Sequence, residues 1–141
     1  GIKVFYVDRE DYAEINEMLR QGNLDAAFVC SGPYVDGHSE FGLELLVAPR
    51  AHGATVYHSY LIVARDSPAR SLADLRGKRF AFTDPLSNTG KLVPTYLLAK
   101  LNETPESYFG SVGYTRGHDK SITAVAQGVV DAAAVDSLVC E

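Results

Sequence analysis

The run Phe80-Ala81-Phe82-Thr83-Asp84-Pro85-Leu86-Ser87-Asn88-Thr89-Gly90 crowds two hydroxyls and an amide side chain where its pattern predicts a helix to begin. An apolar strand leads into a turn, and the first four N–H groups of the following helix have no partner within it. The helix dipole adds partial positive charge at the same place. The hydroxyls of Ser87 and Thr89, with Gly90 allowing close backbone approach, would complete a cradle for a tetrahedral oxyanion. The other reading is that Ser87 or Thr89 merely caps the helix. Lys91 falls in that first turn, where a cation opposes the dipole, and its side chain is expected to point away into solvent.

His118 follows Gly117 at the predicted start of a second helix. Its imidazole is suited to donating to an oxyanion, and equally to capping a surface helix. Asp136 lies just past the last predicted strand, where a carboxylate either pairs with a ligand ammonium or caps the next helix. Tyr12, Tyr34, Tyr57 and Tyr60 gather in the first half. Alternation along residues 56–61 puts Tyr57 and Ser59 on one face of a strand, with His58 and Tyr60 on the other. A tyrosine at such a place can close over a ligand, although most tyrosines are core or rim residues. His38, His52 and His58 share no spacing and read as loop or surface residues. No activated nucleophile, metal cluster or catalytic carboxylate pair is visible, and nothing shows what would orient His118. The expectation is therefore a binding protein rather than an enzyme, with no metal or cofactor.

The elements that must position these residues alternate between strand and helix, which favours an α/β fold with a mostly parallel sheet. Strands are predicted at 3–6, 24–30, 43–48, 56–64, 79–83, 112–115 and 131–135. Helices are predicted at 8–20, 71–75, 90–101 and 119–127, with a brief helix or loop after Ser31-Gly32-Pro33. In the first helix Tyr12, Ile15, Met18 and Leu19 share a face. In the 90–101 helix Leu92, Val93, Tyr96, Leu97 and Leu101 are expected inward, with Pro94 disturbing the first turns. This pattern divides into two lobes, 1–66 with a strand-like hinge and 67–141. Clefts between lobes, beyond the carboxyl ends of strands, are where α/β folds bind ligands.

The 141 residues are 46% hydrophobic and 22% charged, ordinary values for a globular chain. No apolar run approaches the roughly 18 residues a membrane span needs. No signal peptide opens the chain, so an exported protein would have lost its leader before Gly1. A formal charge of −5 and the lack of a basic stretch argue against a nucleic-acid partner, though not against one small anion. Cys30 and Cys140 have no metal-ligand spacing and are expected as mostly buried thiols rather than as a disulfide.

Taken together, these stretches resemble the PhnD-type family, the phosphate, phosphite and phosphonate binding proteins of ABC importers. The matching segments are Asp11-Tyr12-Ala13, Tyr57 with Leu61-Ile62-Val63-Ala64-Arg65-Asp66-Ser67-Pro68, and Ser71-Leu72-Ala73-Asp74-Leu75-Arg76-Gly77-Lys78. The 80–90 run is the most specific, continuing as Leu92-Val93-Pro94. Gly117-His118-Asp119 and Val130-Asp131-Ala132-Ala133-Ala134-Val135-Asp136-Ser137 follow in the family's order. The resemblance implies a two-lobed type II periplasmic-binding-protein-like fold, incomplete at both ends. It also implies a small oxyanion ligand, a membrane permease as partner, and a periplasmic or extracytoplasmic place, with or without a lipid anchor. By it, Ser87, Asn88 and Thr89 correspond to the family's phosphonate-gripping Ser-Thr-Ser run, Tyr12 and Tyr57 to its tyrosines, and His118 to its histidine. Asp136 lies near the acidic residue that meets an aminophosphonate's ammonium. Asn88 and Thr89 replace Thr and Ser, and Lys91 stands where family members commonly carry an aromatic. A ligand-sensing extracytoplasmic domain of a membrane receptor would share the same fold and site.

Overall fold

A computed structural model describes residues 1–140 of the chain. The elements, in order, are α1 (Tyr12–Arg20), α2 (Ser31–Phe41), β1 (Ser59–Val63), a short 3₁₀ turn (Leu72–Leu75) and β2 (Arg79–Phe82). Then come a π-helical turn (Asn88–Leu92), α3 (Val93–Ala99), α4 (Pro105–Tyr108), β3 (Ser111–Tyr114), α5 (His118–Ala126), β4 (Ala132–Asp136) and α6 (Ser137–Cys140). The four strands form one sheet in the order β1-β4-β2-β3. β2 runs parallel to both β3 and β4, whereas β1 pairs antiparallel with β4, Ser59 opposite Asp136 and Val63 opposite Ala132.

Side chains alternate across this sheet, and the two faces build separate cores. Phe80 and Phe82 point to one face, where they meet Leu75, Leu98, Tyr108, Phe109, Ala132 and Ala134. Phe80 stacks flat on Phe109 at 4.1 Å and meets Phe82 edge-on at 5.1 Å, both favourable ring geometries. Ala81 and Ala133 point to the other face, against Val125 of α5. Sitting between β1 and β2, β4 is the most enclosed strand: residues 132–135 have no exposed surface, and their small side chains let α5 lie close.

The expected strands at 3–6, 24–30 and 43–48 are not formed. A strand exists only through hydrogen bonds to a neighbour, and none of these extended segments has one among the described residues. Most of their apolar side chains stand in solvent, with Tyr6 94% and Phe28 96% exposed. Among residues 1–58 only Pro33 and Gly37 are buried. The extended 56–64 segment becomes a strand only from Ser59. α2 is a full helix rather than a brief turn, closed by Gly42 in the left-handed conformation at φ 77°.

The 90–101 helix buries a different face from the one expected. Leu92, Tyr96 and Leu101 are exposed, and Pro94 and Leu98 are buried instead. Leu98 is the residue that packs into the core with Phe80, Phe82 and Tyr108, and the helix is entered through a π turn in which the N–H groups of Leu92 and Val93 donate five residues back, to Ser87 and Asn88. Pro94 sits at the start of α3, where its missing N–H costs nothing. Of the two cysteines, both thiols, Cys30 is half-buried, and Cys140 is exposed where burial was expected.

Candidate functional site

The carboxyl ends of β2 and β4 meet the start of the π turn and the start of α5, and Thr83 ties them together. Thr83 is fully buried. Its N–H donates to Gly90 O at 3.2 Å, its carbonyl accepts from Arg116 N at 2.8 Å, and its hydroxyl donates to Ala134 O at 3.1 Å. The π turn lies so close that a Cβ on Gly90 would stand 2.5 Å from Thr83 Cβ. Only glycine lets the chain approach this far. Asp84, 2% exposed, folds the following residues into an Asx turn by accepting from Leu86 N at 2.8 Å.

Within this frame the hydroxyls of Ser87 and Thr89 have different tasks. Ser87 Oγ accepts from Gly90 N at 3.0 Å and so caps the π turn. Thr89, 2% exposed, has an Oγ1 with no hydrogen-bond partner. Leaving a buried hydroxyl unpaired costs about 1–3 kcal/mol, so a group that completes it would be bound at a gain. The Thr89 carbonyl meanwhile accepts from Ser59 Oγ at 2.6 Å, anchoring the turn to β1.

Two tyrosines approach the turn from the first half of the chain. Tyr12, in the first turn of α1, lies against Ser87, with Cys30, Asp84 and Asp136 close enough to act on its charge. Burial, then the negative charge of these neighbours, pushes its phenol up to about 12, so it stays a proton donor. Tyr57 shares a 2.7 Å hydrogen bond with Ser31 Oγ and meets the Asn88 side chain, and burial raises its pKa too. The N-terminus of α2 packs directly on the loop before the turn, since a Cβ at Gly32 would collide with the Leu86 carbonyl.

His118 is not unoriented. Its Nδ1 accepts from the backbone N–H of Asp136 at 3.0 Å, with Thr83 Oγ1 3.2 Å away. A donor at Nδ1 places the imidazole proton on Nε2. Burial lowers the His118 pKa, opposed by the charges of Asp136 and Asp119. The imidazole is thus a neutral N–H donor. Asp136 itself accepts from Leu138 N at 2.8 Å and so caps α6.

All seven residues read from the sequence as candidate ligand contacts, Tyr12, Tyr57, Ser87, Asn88, Thr89, His118 and Asp136, lie around this turn. Thr83, Asp84, Ser31 and Ser59 join them. Neither Ser31 nor Ser59 carries a spacing signal, and each depends on a contact with a residue 26 to 30 positions away. Lys91 does point away, but onto rings rather than into solvent: its Nζ sits 4.1 Å from the Phe82 ring centre and 5.9 Å from that of Tyr114. Arg116 contacts Asp11, the residue before α1, and lies 3.9 Å from Asp84 Oδ2. Among the described residues no group of three His, Cys, Asp or Glu could hold a metal, and no helix is long and apolar enough to cross a membrane.

The chain is similar to proteins named for phosphate import and phosphonate binding. The chain is 35% identical to the phosphate-import protein PhnD of Mycolicibacterium smegmatis, over 99% of its own length and 47% of that protein's. It is 33% identical to the phosphonates-binding periplasmic protein of Escherichia coli, over 94% and 40%. The chain therefore spans less than half the length of these relatives. Among solved structures, the binding component of a phosphonate ABC transporter from Pseudomonas aeruginosa superposes with a TM-score of 0.79 at 28% identity, covering 92% of this chain and 44% of that one. A Prochlorococcus marinus protein solved with methylphosphonate shares the fold, with a TM-score of 0.84 at 22% identity over 97% and 53%. The fold is that of type II periplasmic binding proteins, and the chain, matched along residues 1–141, belongs to the family of ABC-transporter phosphonate periplasmic substrate-binding proteins.

Proposed function

We propose that this chain supplies the oxyanion-gripping part of an extracytoplasmic solute-binding protein that takes up a phosphonate-class ligand and presents it to an ABC permease. The buried, unpartnered hydroxyl of Thr89 carries the reading, because it is a recognition group waiting for an acceptor. Around it Tyr12, Tyr57, Asn88 and His118 supply neutral donors, and the N–H groups opening the π turn supply partial positive charge. A cavity of about 280 Å³ beside Tyr12, lined also by Ile15, Phe28, Val29, Cys30 and Pro33, has room for a short organic substituent.

In this reading residues 1–66 belong to one lobe and 67–141 to the other, with β1 as the hinge. Closure brings Tyr12 and Tyr57 of the first lobe onto Ser87, Asn88 and Thr89 of the second. Relatives named for phosphate import and phosphonate binding favour transport over a receptor's sensing domain. Isothermal calorimetry against methylphosphonate, 2-aminoethylphosphonate, phosphite and phosphate tests the proposal. Saturable heat with at least one of them is expected, and silence with all four would refute it.

A further inference from the structure

The site offers neutral donors on every side, while the cations near it are engaged elsewhere. Lys91 Nζ rests on the Phe82 and Tyr114 rings, and the Arg116 guanidinium lies between Asp11 and Asp84. His118 is kept uncharged by the Asp136 amide on its Nδ1. Titratable and charged groups surround the turn on several elements. From α1 and the residue before it come Tyr12 and Asp11; from the start of α2, Cys30; from the segment before β1, Tyr57. From the loop after β2 comes Asp84, from the π turn Lys91, from the β3–α5 connection Arg116, His118 and Asp119, and from β4 Asp136. Asp84 and Asp136 are both close enough to raise the Tyr12 phenol. Only Asp84 has a cation beside it; Asp136 Oδ1 is held by an amide.

Resting on the function proposed above, we infer that the site selects the singly charged, once-protonated form of its phosphorus oxyanion and rejects the doubly charged form. A second negative charge would enter beside Asp136 and Asp84, while Lys91 lies over the Phe82 and Tyr114 rings and Arg116 between Asp11 and Asp84. A ligand that keeps one acidic proton carries its own donor, and both Asp136 and the Thr89 hydroxyl can accept from it. Such selection also sets the order of affinities. Phosphonates and phosphates lose their second proton near neutral pH, so the competent fraction of ligand shrinks as pH rises.

The test is calorimetry of the protein with methylphosphonate from pH 5.5 to 8.5, in buffers of different ionisation enthalpy, joined to ³¹P NMR of the bound ligand. Above the ligand's second pKa, the apparent affinity should fall about tenfold per pH unit, as the competent fraction does. Binding at pH 8.5 should take up about one proton, with the bound ³¹P resonance at the monoanion position. Binding without proton uptake would overturn the inference while leaving the ligand-binding function standing. Uptake with the resonance at the dianion position would overturn it too, because the proton would then be on the protein. No heat at any pH would remove the functional reading and this inference together.

Discussion

The backbone N–H of Asp136 donates to Nδ1 of His118 at 3.0 Å, so the end of β4 determines which nitrogen of the imidazole carries the proton. Backbone amides do not titrate, so a proton added at Nδ1 would face a donor that cannot turn away. Burial works in the same direction, lowering the His118 pKa. A histidine that is readily protonated when unfolded and resists protonation when folded binds more protons in the unfolded state. Its contribution to stability is therefore full above the ordinary value of 6.5 and is lost as pH falls from there toward the lowered folded pKa.

For His118 the expected outcome is a ¹⁵N spectrum showing the Nε2–H tautomer and a titration midpoint below the ordinary value of 6.5. Replacement by Asn should remove the downward bend of stability below pH 6.5 that this residue adds. Wild-type imidazole nitrogens that titrate at or above pH 6.5 would contradict the assignment.

Thr89→Val exchanges an unsatisfied buried hydroxyl for a methyl group of nearly the same shape. Thermal unfolding should show stability unchanged or raised by up to about 1 kcal/mol, since no protein hydrogen bond is lost. Affinity for the oxyanion should instead fall about tenfold or more, one hydrogen bond to a charged group being worth about 1.5–3 kcal/mol. A variant that is destabilised and binds normally would assign Thr89 to the core.

Gly90→Ala places a methyl 2.5 Å from Thr83 Cβ and 2.9 Å from Ser87 Oγ. Denaturant unfolding should register a loss of about 1–3 kcal/mol, the usual cost of overpacking a tight site. The displacement would also stretch the 3.2 Å hydrogen bond from Thr83 N to Gly90 O, so ligand affinity should fall with it. An alanine variant equal to wild type in both measurements would show that the turn can move away from the strand.

Much of the fold was legible because it depends on patterns of short range. The alternation of Phe80, Ala81 and Phe82, the alanine run before Asp136 and the hydroxyls before Gly90 each declare a local structure that the sheet then uses. Where legibility failed, the deciding partner was distant in the chain. The segments at 3–6, 24–30 and 43–48 have strand-like composition, yet no edge among the described residues pairs with them. The face of α3 was misplaced because Leu98 is buried by Phe80, Phe82 and Tyr108, partners outside the helix that a period count does not see.

By itself, then, the sequence determined which residues carry donors and that these stand at the ends of strands and the beginnings of helices. Composition and periodicity act over a few residues, and these features need no more. Only the tertiary structure decided which of two neighbouring hydroxyls caps and which stays unpartnered, which imidazole nitrogen holds the proton, and that Lys91 and Arg116 are turned to other partners. Those outcomes rest on contacts between groups brought together from separate elements, and local sequence carries no record of them.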